Sequence, residues 1–303
     1  PTVAIVRDDL FALLEESYTE EEFDRLCFEF GIELDEVTTE AAMARKREAG
    51  TEAAADTVIY KIDVPANRYD LLCVEGLAQA LRVFLGKDEP PPLRLVKPEG
   101  PMHRMVVKKD TARIRPYVVC AVLRGLKLDH SRYNSFLDLQ DKLHFNICRR
   151  RTLVAIGTHD LDSLEGPFTY EALPGDAIRF VPLAQEREFS AKELLDWYRD
   201  PANVDGKHLR PYTDIIYDSP VYPVIYDSKR TVLSLPPIIN GQHSKISKET
   251  RNCFIECTAT DHTKAVIVLN QLVAMFSMYA AEPFTVEPVE VVYEEAPPRI
   301  GAG

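Results

Sequence analysis

The sequence lacks the paired cysteines that mark zinc ribbons and thioredoxin-like redox sites. None of its six cysteines stands in a Cys-x-x-Cys pair. The cysteines are instead scattered through apolar runs, a pattern that favours buried free thiols in a reducing compartment. Their positions are Cys27, Cys73, Cys120, Cys148, Cys253 and Cys257.

Positive charge is also in short supply. Lys and Arg number 36 against 48 Asp and Glu, which makes the formal net charge -12. Non-specific nucleic-acid binding depends on Lys and Arg that neutralise phosphates, so the chain as a whole is a poor candidate for it. A local basic patch remains compatible with RNA binding, whereas no DNA partner is expected.

Long hydrophobic runs are missing as well. The most apolar helical stretch, Ala265–Ala281, is interrupted by Asn270 and Gln271, and it is too short and too polar to span a bilayer. The opening PTVAIVRDDL carries charge within seven residues, so no signal peptide is predicted. We therefore expect a cytoplasmic protein with no membrane partner.

The sequence does contain enough apolar residues, 46% of 303, for a sizeable core and two domains. Strand and helix patterns are mixed along the chain, which predicts an α+β fold. The proline-rich stretch Asp88–Pro101 is typical of a linker. We place a small N-terminal α/β module at 1–95, a larger mixed-sheet domain at 96–293 and a tail at 294–303.

Local signals define helices in the N-terminal module. Thr19 and Glu22 have the spacing of a capping box, and Gly31 is well placed to end the helix that follows. Asp70 is predicted to cap a later helix. Residues 41–56 are rich in Ala, Glu, Arg and Lys without a clean apolar stripe, and we interpret them as an exposed helix or a mobile insertion.

The larger domain alternates strand and helix patterns. Runs that are apolar on both faces predict strands at Tyr117–Leu123 and Thr152–Ile156. A broad apolar face predicts a helix at Ser131–Cys148, and a second helix is predicted at Thr263–Ala281. The last predicted strand is Val286–Tyr293.

Two adjacent prolines interrupt an apolar run. Pro236 and Pro237 fix two φ angles and remove two ladder donors, so the chain must bend there. Ser234 stands just before the bend and Asn240 just after it, which places their side chains at the rim of a sheet. The plainer interpretation is a well-made turn in which Asn240 bonds to its own backbone.

A single acid stands on one face of the strand pattern Cys253–Thr258. Because successive side chains point to opposite faces, Glu256 and Thr258 share a face with Phe254. The plainer interpretation is the solvent-exposed face of an antiparallel edge strand. The sharper one is the wall of a pocket with Phe254 as its apolar floor. Alternation alone leaves both open.

Several long runs agree, in order, with a known family. SLPPIIN and RNCFIECTAT resemble the editing module of the phenylalanyl-tRNA synthetase beta subunit of the archaeal and eukaryotic cytoplasmic type. YKIDVPANRYDLLCVEGLA, RPYVVCAVLRGL and CRRRTLVAIGTHDLD resemble the same subunit. The resemblance covers nearly all of residues 1–293, and the family chain continues further. The sequence therefore resembles the N-terminal part of that subunit, including its B3/B4 editing domain.

The resemblance implies post-transfer editing, in which tyrosine wrongly esterified to tRNA(Phe) is hydrolysed. The full enzyme of the family attaches phenylalanine to tRNA(Phe) with ATP and Mg²⁺, while this part needs no cofactor. The implied partners are the alpha subunit, in an assembly of two alpha and two beta chains, and tRNA(Phe). The implied catalytic residues are Asn240, Glu256 and Thr258, and the implied substrate-binding residues are Ile225, Ser234, Glu256 and Thr258.

Several positions depart from the archaeal pattern of that family. Ile225 stands where Leu is usual, Glu256 where Asp is usual and Ala259 where Gly is usual. These changes leave open a structural and tRNA-docking module with an inactive pocket. A small-molecule-binding protein that uses the same pocket is a third possibility.

A basic run follows the predicted helix at 131–148. Arg149, Arg150 and Arg151 are suited to contact the phosphates of a tRNA acceptor end, although cations are also favourable at any helix C-terminus. His159 is interpreted as a loop residue with a structural role more than a catalytic one. Because the sequence shows no Ser/His/Asp triad and no metal-ligand cluster, we expect a positioned water to attack the ester.

Overall fold

A computed structural model describes residues 1–46 and 57–295. The chain divides into two compact units, Pro1–Pro92 and Leu93 onward, within the proline-rich stretch. Of the predicted helix or insertion over 41–56, residues 47–56 lie outside the described part, and so does the tail from residue 296.

Unit 1 builds an antiparallel sheet with strand order β1-β3-β2, in which β3 pairs with both neighbours. Apolar side chains of its helices and strands form a buried core that includes Phe23 and Tyr60, whose rings stack with centroids 5.0 Å apart. Its described elements are β1 (Thr2–Val6), α1 (Arg7–Leu14), α2 (Glu20–Phe30), β2 (Glu33–Thr39), α3 (Glu40–Lys46), β3 (Val58–Asp63) and α4 (Val74–Phe84).

The capping box predicted for α2 is confirmed. The Glu22 backbone N–H donates to Thr19 Oγ1 at 3.3 Å, and the Thr19 backbone N–H donates to Glu22 Oε2 at 2.8 Å. Gly31 ends the helix in the left-handed conformation, with φ of 94°. Both signals act over three or four residues, so they needed no tertiary information.

The cap predicted at Asp70 is wrong. A 3₁₀ turn at Tyr69–Leu71 precedes the helix, and Asp70 pairs there with Arg68 at 2.7 Å. The helix begins later, and its N-cap is Cys73, whose Sγ accepts from the backbone N–H of Gly76 at 3.5 Å. The extra turn shifts the start of the helix beyond the reach of the aspartate.

Unit 2 is larger and contains both strands and helices. Its described elements are β4 (Arg94–Leu95), β5 (Arg104–Val107), β6 (Tyr117–Leu123), α5 (His130–Phe145), β7 (Val154–Asp160), β8 (Phe168–Leu173), β9 (Arg179–Phe180), β10 (Phe189–Ser190), α6 (Ala191–Arg199), α7 (Arg210–Thr213), β11 (Tyr222–Tyr226), β12 (Val232–Leu235), β13 (Ile239–Asn240), β14 (Cys253–Ala259), α8 (His262–Phe276), β15 (Thr285–Pro288) and β16 (Glu290–Tyr293).

Two mixed sheets dominate unit 2. One has the order β13-β12-β11-β8-β5-β16, and β5 runs parallel to both of its neighbours. The other has the order β4-β15-β6-β14-β7, in which only the β4–β15 pair is parallel. The predicted α+β fold with a small N-terminal module and a larger mixed-sheet domain is confirmed.

The two sheets share one apolar core. Phe254 of β14 and Phe168 of β8 are fully buried there, and their rings stack with centroids 4.5 Å apart. Burial of one such side chain stabilises a fold by about 1.5–3 kcal/mol. A second core lies on the other face of the β11 strand, against α6. All six cysteines are buried and outside disulfides, which confirms the predicted buried thiols.

Two strand predictions for this unit need correction. The strand expected at Thr152–Ile156 is β7, which continues to Asp160 because it pairs with β14 along its whole length. His159 is therefore a strand residue, and its assignment to a loop is wrong. The strand expected at Val286–Tyr293 is two strands, β15 and β16, because the chain changes sheets after Pro288, which has no N–H for a ladder.

Candidate functional site

The Glu256 carboxyl group is enclosed in unit 2. Its strand, β14, lies between β6 and β7, so Glu256 stands beside Cys120 on one side and Gly157 on the other. Its exposed fraction is 1%. The interpretation of this face as the solvent-exposed face of an edge strand is wrong, because β14 is an inner strand whose every residue is buried.

One carboxyl oxygen of Glu256 is held from the facing sheet. Ser234, on β12, is buried and donates its hydroxyl to Oε1 at 2.8 Å. Among the described residues, Oε2 has no hydrogen-bond partner. A buried polar atom left unpaired costs about 1–3 kcal/mol. The site therefore contains one oxygen held by Ser234 and one buried acceptor without a partner.

Gly157 makes room for this carboxyl group. A Cβ at residue 157 would lie 2.0 Å from Glu256 Oε1 and 2.7 Å from Cδ. The close approach of the Glu256 side chain thus explains why residue 157 is a glycine, since its φ angle is one that other residues also adopt. Sequence reasoning missed this residue, although a glycine within a strand pattern is a known signal of close approach.

A cavity of about 420 Å³ opens beside Glu256. Ser234 and Asn240 line it together with Glu256, and apolar wall comes from the bend at residues 236–239 and from helix α5. The volume lies within the usual range of small-molecule sites, about 300–1,000 Å³. The cavity thus combines an apolar wall with polar and charged side chains, the kind of groups that orient a ligand.

Side chains tie the Pro-Pro bend to the neighbouring sheet. Asn240 Nδ2 donates to the Thr158 carbonyl at 3.3 Å, so the interpretation in which Asn240 bonds to its own backbone is wrong. Arg151 Nη1 donates to the Ile238 carbonyl at 2.9 Å and to the Pro237 carbonyl at 3.4 Å. The bend is a fixed wall of the cavity because both partners lie on or beside β7.

The arginine run is divided by the fold. Arg149, Arg150 and Arg151 have φ angles of 45°, 51° and 67°, a left-handed turn that costs about 1–2 kcal/mol per residue. The turn leaves Arg149 and Arg150 exposed, whereas Arg151 lines the cavity and stacks over the Tyr212 ring at 4.4 Å. Burial lowers the pKa of Arg151 from its ordinary value.

Thr258 does not line the cavity. It is fully buried, and its Oγ1 accepts a hydrogen bond from Arg115 Nε at 3.1 Å. Arg115 is buried as well, and its two Nη atoms donate to the carbonyls of Thr258, Arg151 and Thr152 at 3.0–3.1 Å. Burial lowers the pKa of Arg115. Sequence reasoning missed this arginine, which supports the strained turn from within the core.

Ile225 is likewise outside the cavity lining. It is fully buried in the apolar core between the two sheets, and it pairs with Ser234 across β11 and β12. The structure thus brings Glu256, Ser234 and Asn240 together at the cavity. It places Ile225 and Thr258 in the packed interior beside them.

A histidine on helix α5 also lines the cavity. The backbone N–H of Ile156 donates to His144 Nε2 at 2.9 Å, so the ring is neutral and carries its proton on Nδ1. Burial, with added repulsion from Arg151 and Arg115, lowers the pKa of His144 well below its ordinary value. The isolated histidine in a helix pattern offered no sequence signal of this arrangement.

The part of the chain that the structure describes contains neither a candidate metal site nor a candidate membrane span. Between residues 1 and 46 and between 57 and 295, no group of three or more His, Cys, Asp or Glu side chains is arranged to hold a metal ion. The same residues contain no helix of the length and apolar character needed to cross a bilayer.

Comparison with known families matches both units. The chain matches the family described as "Phe-tRNA synthetase beta subunit B1 domain" over residues 1–87 and the "B3/4 domain" over residues 121–277. A crystal structure of an N-terminal fragment of the phenylalanyl-tRNA synthetase beta subunit from Pyrococcus horikoshii is similar to it, with a TM-score of 0.81 and 30% identity, covering 97% of this chain and 77% of that one. The chain belongs to the phenylalanyl-tRNA synthetase beta-subunit family.

Curated relatives agree with this family. The chain is 60% identical over 298 residues to the cytoplasmic phenylalanine–tRNA ligase beta subunit of Arabidopsis thaliana, covering 97% of this chain and 49% of that protein. It is 54% identical over 295 residues to the Homo sapiens phenylalanine–tRNA ligase beta subunit, again covering 97% and 49%. The chain thus spans about half the length of these members of the phenylalanyl-tRNA synthetase beta-subunit family.

Proposed function

We propose that unit 2 hydrolyses tyrosine that has been wrongly esterified to tRNA(Phe), within a ligase that serves protein synthesis. Membership of the beta-subunit family supports the ligase context. The observation that carries the hydrolytic role is the Glu256 carboxyl group, buried beside the cavity with Oε2 unpaired among the described residues.

The carboxyl group suits the selection of tyrosine against phenylalanine. The two side chains differ by one hydroxyl. A tyrosyl hydroxyl donates to Oε2, whereas a phenylalanyl ring leaves that oxygen desolvated and unpaired. Sites built to bond a substrate hydroxyl reject the analogue without it by roughly 10⁴–10⁵. Correctly charged Phe-tRNA(Phe) is therefore spared, as an editing site requires.

The reaction is hydrolysis of an activated ester. A water attacks the ester carbonyl carbon, the bond to the terminal ribose oxygen breaks, and tyrosine and the tRNA hydroxyl are released. Asn240 lines the cavity and is fixed to β7, so its amide is in place to orient the water or the ester. Thr258, with its hydroxyl held by Arg115, and Ile225 support the wall from the packed interior.

The RNA and the remaining partners complete the proposal. Arg149 and Arg150 are exposed and adjoin Arg151 at the cavity, a placement that suits contact with the phosphates of the tRNA acceptor end. Attachment of phenylalanine with ATP and Mg²⁺, and assembly with an alpha subunit as two alpha and two beta chains, are assigned to the whole protein.

The test is deacylation of Tyr-tRNA(Phe). We expect the chain, or the ligase that contains it, to release tyrosine far faster than phenylalanine. Glu256→Ala should remove most of this activity, while the exposed Glu290→Ala serves as the matched control. Full hydrolysis by Glu256→Ala would contradict the assigned site, and a wild-type chain without activity would favour the docking module with an inactive pocket.

A further inference from the structure

His159 lies next to the Glu256 carboxyl group but does not line the cavity. Its ring is wholly buried, with an exposed fraction of 0%, and its Nε2 is 3.6 Å from Glu256 Oε1. Within the described residues, that nitrogen has no hydrogen-bond partner. A buried ring nitrogen in this state is destabilising unless it interacts with the carboxyl group it faces.

Ser244 orients the His159 ring. Its hydroxyl is fully buried and lies 2.8 Å from Nδ1. If the hydroxyl donates to Nδ1, the ring proton is on Nε2 and faces Oε1. The remaining tautomer would set a nitrogen lone pair against a carboxyl oxygen, which is repulsive. The carboxyl oxygen therefore favours the tautomer with an N–H directed at Glu256, and in that tautomer Ser244 donates to Nδ1.

We propose that His159, oriented by Ser244, is a positioning residue that holds Glu256 Oε1 and so leaves Oε2 directed at the substrate hydroxyl. The proposal rests on the proposed function of the cavity. The 3.6 Å separation exceeds a hydrogen bond, and the contacts of empty sites commonly tighten when substrate binds.

Three features then surround the same oxygen. Ser234 donates to Oε1 from the facing sheet, His159 faces it from β7, and the bare backbone of Gly157 leaves the space that it occupies. A carboxyl group with two donors on one oxygen has one orientation, whereas Ser234 alone would allow it to rotate. Loss of His159 should therefore weaken recognition of a hydroxyl and leave substrates without one unaffected.

The experiment compares Tyr-tRNA(Phe) and Phe-tRNA(Phe) deacylation by His159→Phe. Phenylalanine keeps a flat ring next to Phe254, with centroids now 6.3 Å apart, and removes both nitrogens. We expect kcat/KM for the tyrosyl substrate to fall about tenfold, mostly through KM, with the phenylalanyl rate unchanged. His159→Gln, which returns an N–H donor, should recover part of the loss, and exposed His243→Phe is the control.

A double-mutant cycle separates positioning from packing. Ser244→Ala should lower the tyrosyl kcat/KM by about threefold, and it should have no further effect in the His159→Phe background, because the hydroxyl acts only through the ring. Two independent packing defects would instead multiply, and they would slow both substrates alike. If His159→Phe does not fold, Ser244→Ala is tested without it. An unchanged ratio of the tyrosyl to the phenylalanyl kcat/KM in that variant refutes the proposal.

The outcomes distinguish this proposal from the proposed function. An active wild type that loses activity with Glu256→Ala, but keeps its full ratio with His159→Phe, would overturn the role of His159 and leave editing in place. A wild type without deacylase activity, or a fully active Glu256→Ala variant, would overturn the proposed function, and the role of His159 would fall with it.

Discussion

Gly157→Ala adds one methyl group where the Glu256 carboxyl approaches the backbone of β7. The new Cβ would lie 2.0 Å from Oε1, whereas real Cβ contacts are essentially never below 3.0 Å. The carboxyl oxygen must therefore retreat by about 1 Å, because it is the free end of a side chain and the strand is fixed by its ladder. A displacement of this size distorts the 2.8 Å hydrogen bond from Ser234 and moves Oε2 with it.

The effect should fall on activity and spare the fold. A misplacement of about 1 Å at a reacting site lowers the rate by about 100-fold, so we expect a loss of that order in kcat/KM for Tyr-tRNA(Phe). The free energy of unfolding should change by less than about 1 kcal/mol. The distorted hydrogen bond from Ser234 destabilises by at most about 1 kcal/mol, and alanine in a strand regains about 0.5–1 kcal/mol relative to glycine.

The assay is deacylation of Tyr-tRNA(Phe), paired with urea unfolding of the same preparations. Gly100→Ala is the matched control, because a Cβ there would meet nothing within 4 Å. A Gly157→Ala variant with activity within twofold of wild type would refute the reasoning. A loss of activity that is fully explained by a smaller folded fraction would also refute it.

Three further predictions concern the surroundings of the cavity. Arg115→Met should lower the free energy of unfolding by about 3–5 kcal/mol in urea titrations, because a buried arginine loses four hydrogen bonds. A change below about 1 kcal/mol would contradict its structural role. Burial depresses the native pKa of His144, so the unfolded ring, with its ordinary pKa of 6.5, takes up a proton first as the pH falls. The free energy of unfolding should therefore decline below about pH 6.5, by up to about 1.4 kcal/mol per pH unit. His144→Gln still accepts from the Ile156 N–H and should reduce that decline. Parallel stability curves for wild type and variant would contradict the assignment to His144. Arg149→Ala and Arg150→Ala should each reduce the slope of log K against log salt concentration for tRNA(Phe) binding by roughly one. An unchanged slope would show that these arginines do not contact RNA phosphates.

Features that depend on neighbours in the chain could be predicted from the sequence. The capping box of Thr19 and Glu22 and the end of the helix at Gly31 involve residues a few positions apart, so their geometry follows from local chemistry. Asp70 shows the limit of such reasoning. Its residue type fits a cap, but an intervening 3₁₀ turn, which no local signal announced, gives that position to Cys73.

Features that depend on pairing between distant segments could not be predicted in the same way. The burial of Glu256 requires that β6 and β7 flank β14, and its partners there, Cys120 and Gly157, stand about 136 and about 99 residues earlier in the chain. The close contact between Gly157 and the carboxyl group likewise depends on the pairing of β7 with β14. Neither contact has a periodic pattern, because each joins single residues on different strands.

Alternation along Cys253–Thr258 by itself determined which side chains share a face with Glu256, and the runs around it determined the family. The tertiary structure alone decided that this face is buried and that Ser234 and His159 both lie next to Glu256 Oε1. It also decided that the Thr258 hydroxyl bonds to Arg115 and does not line the cavity. The physical reason is that a strand's side-chain directions are a property of its backbone, whereas burial and hydrogen-bond partners are properties of whatever packs against it.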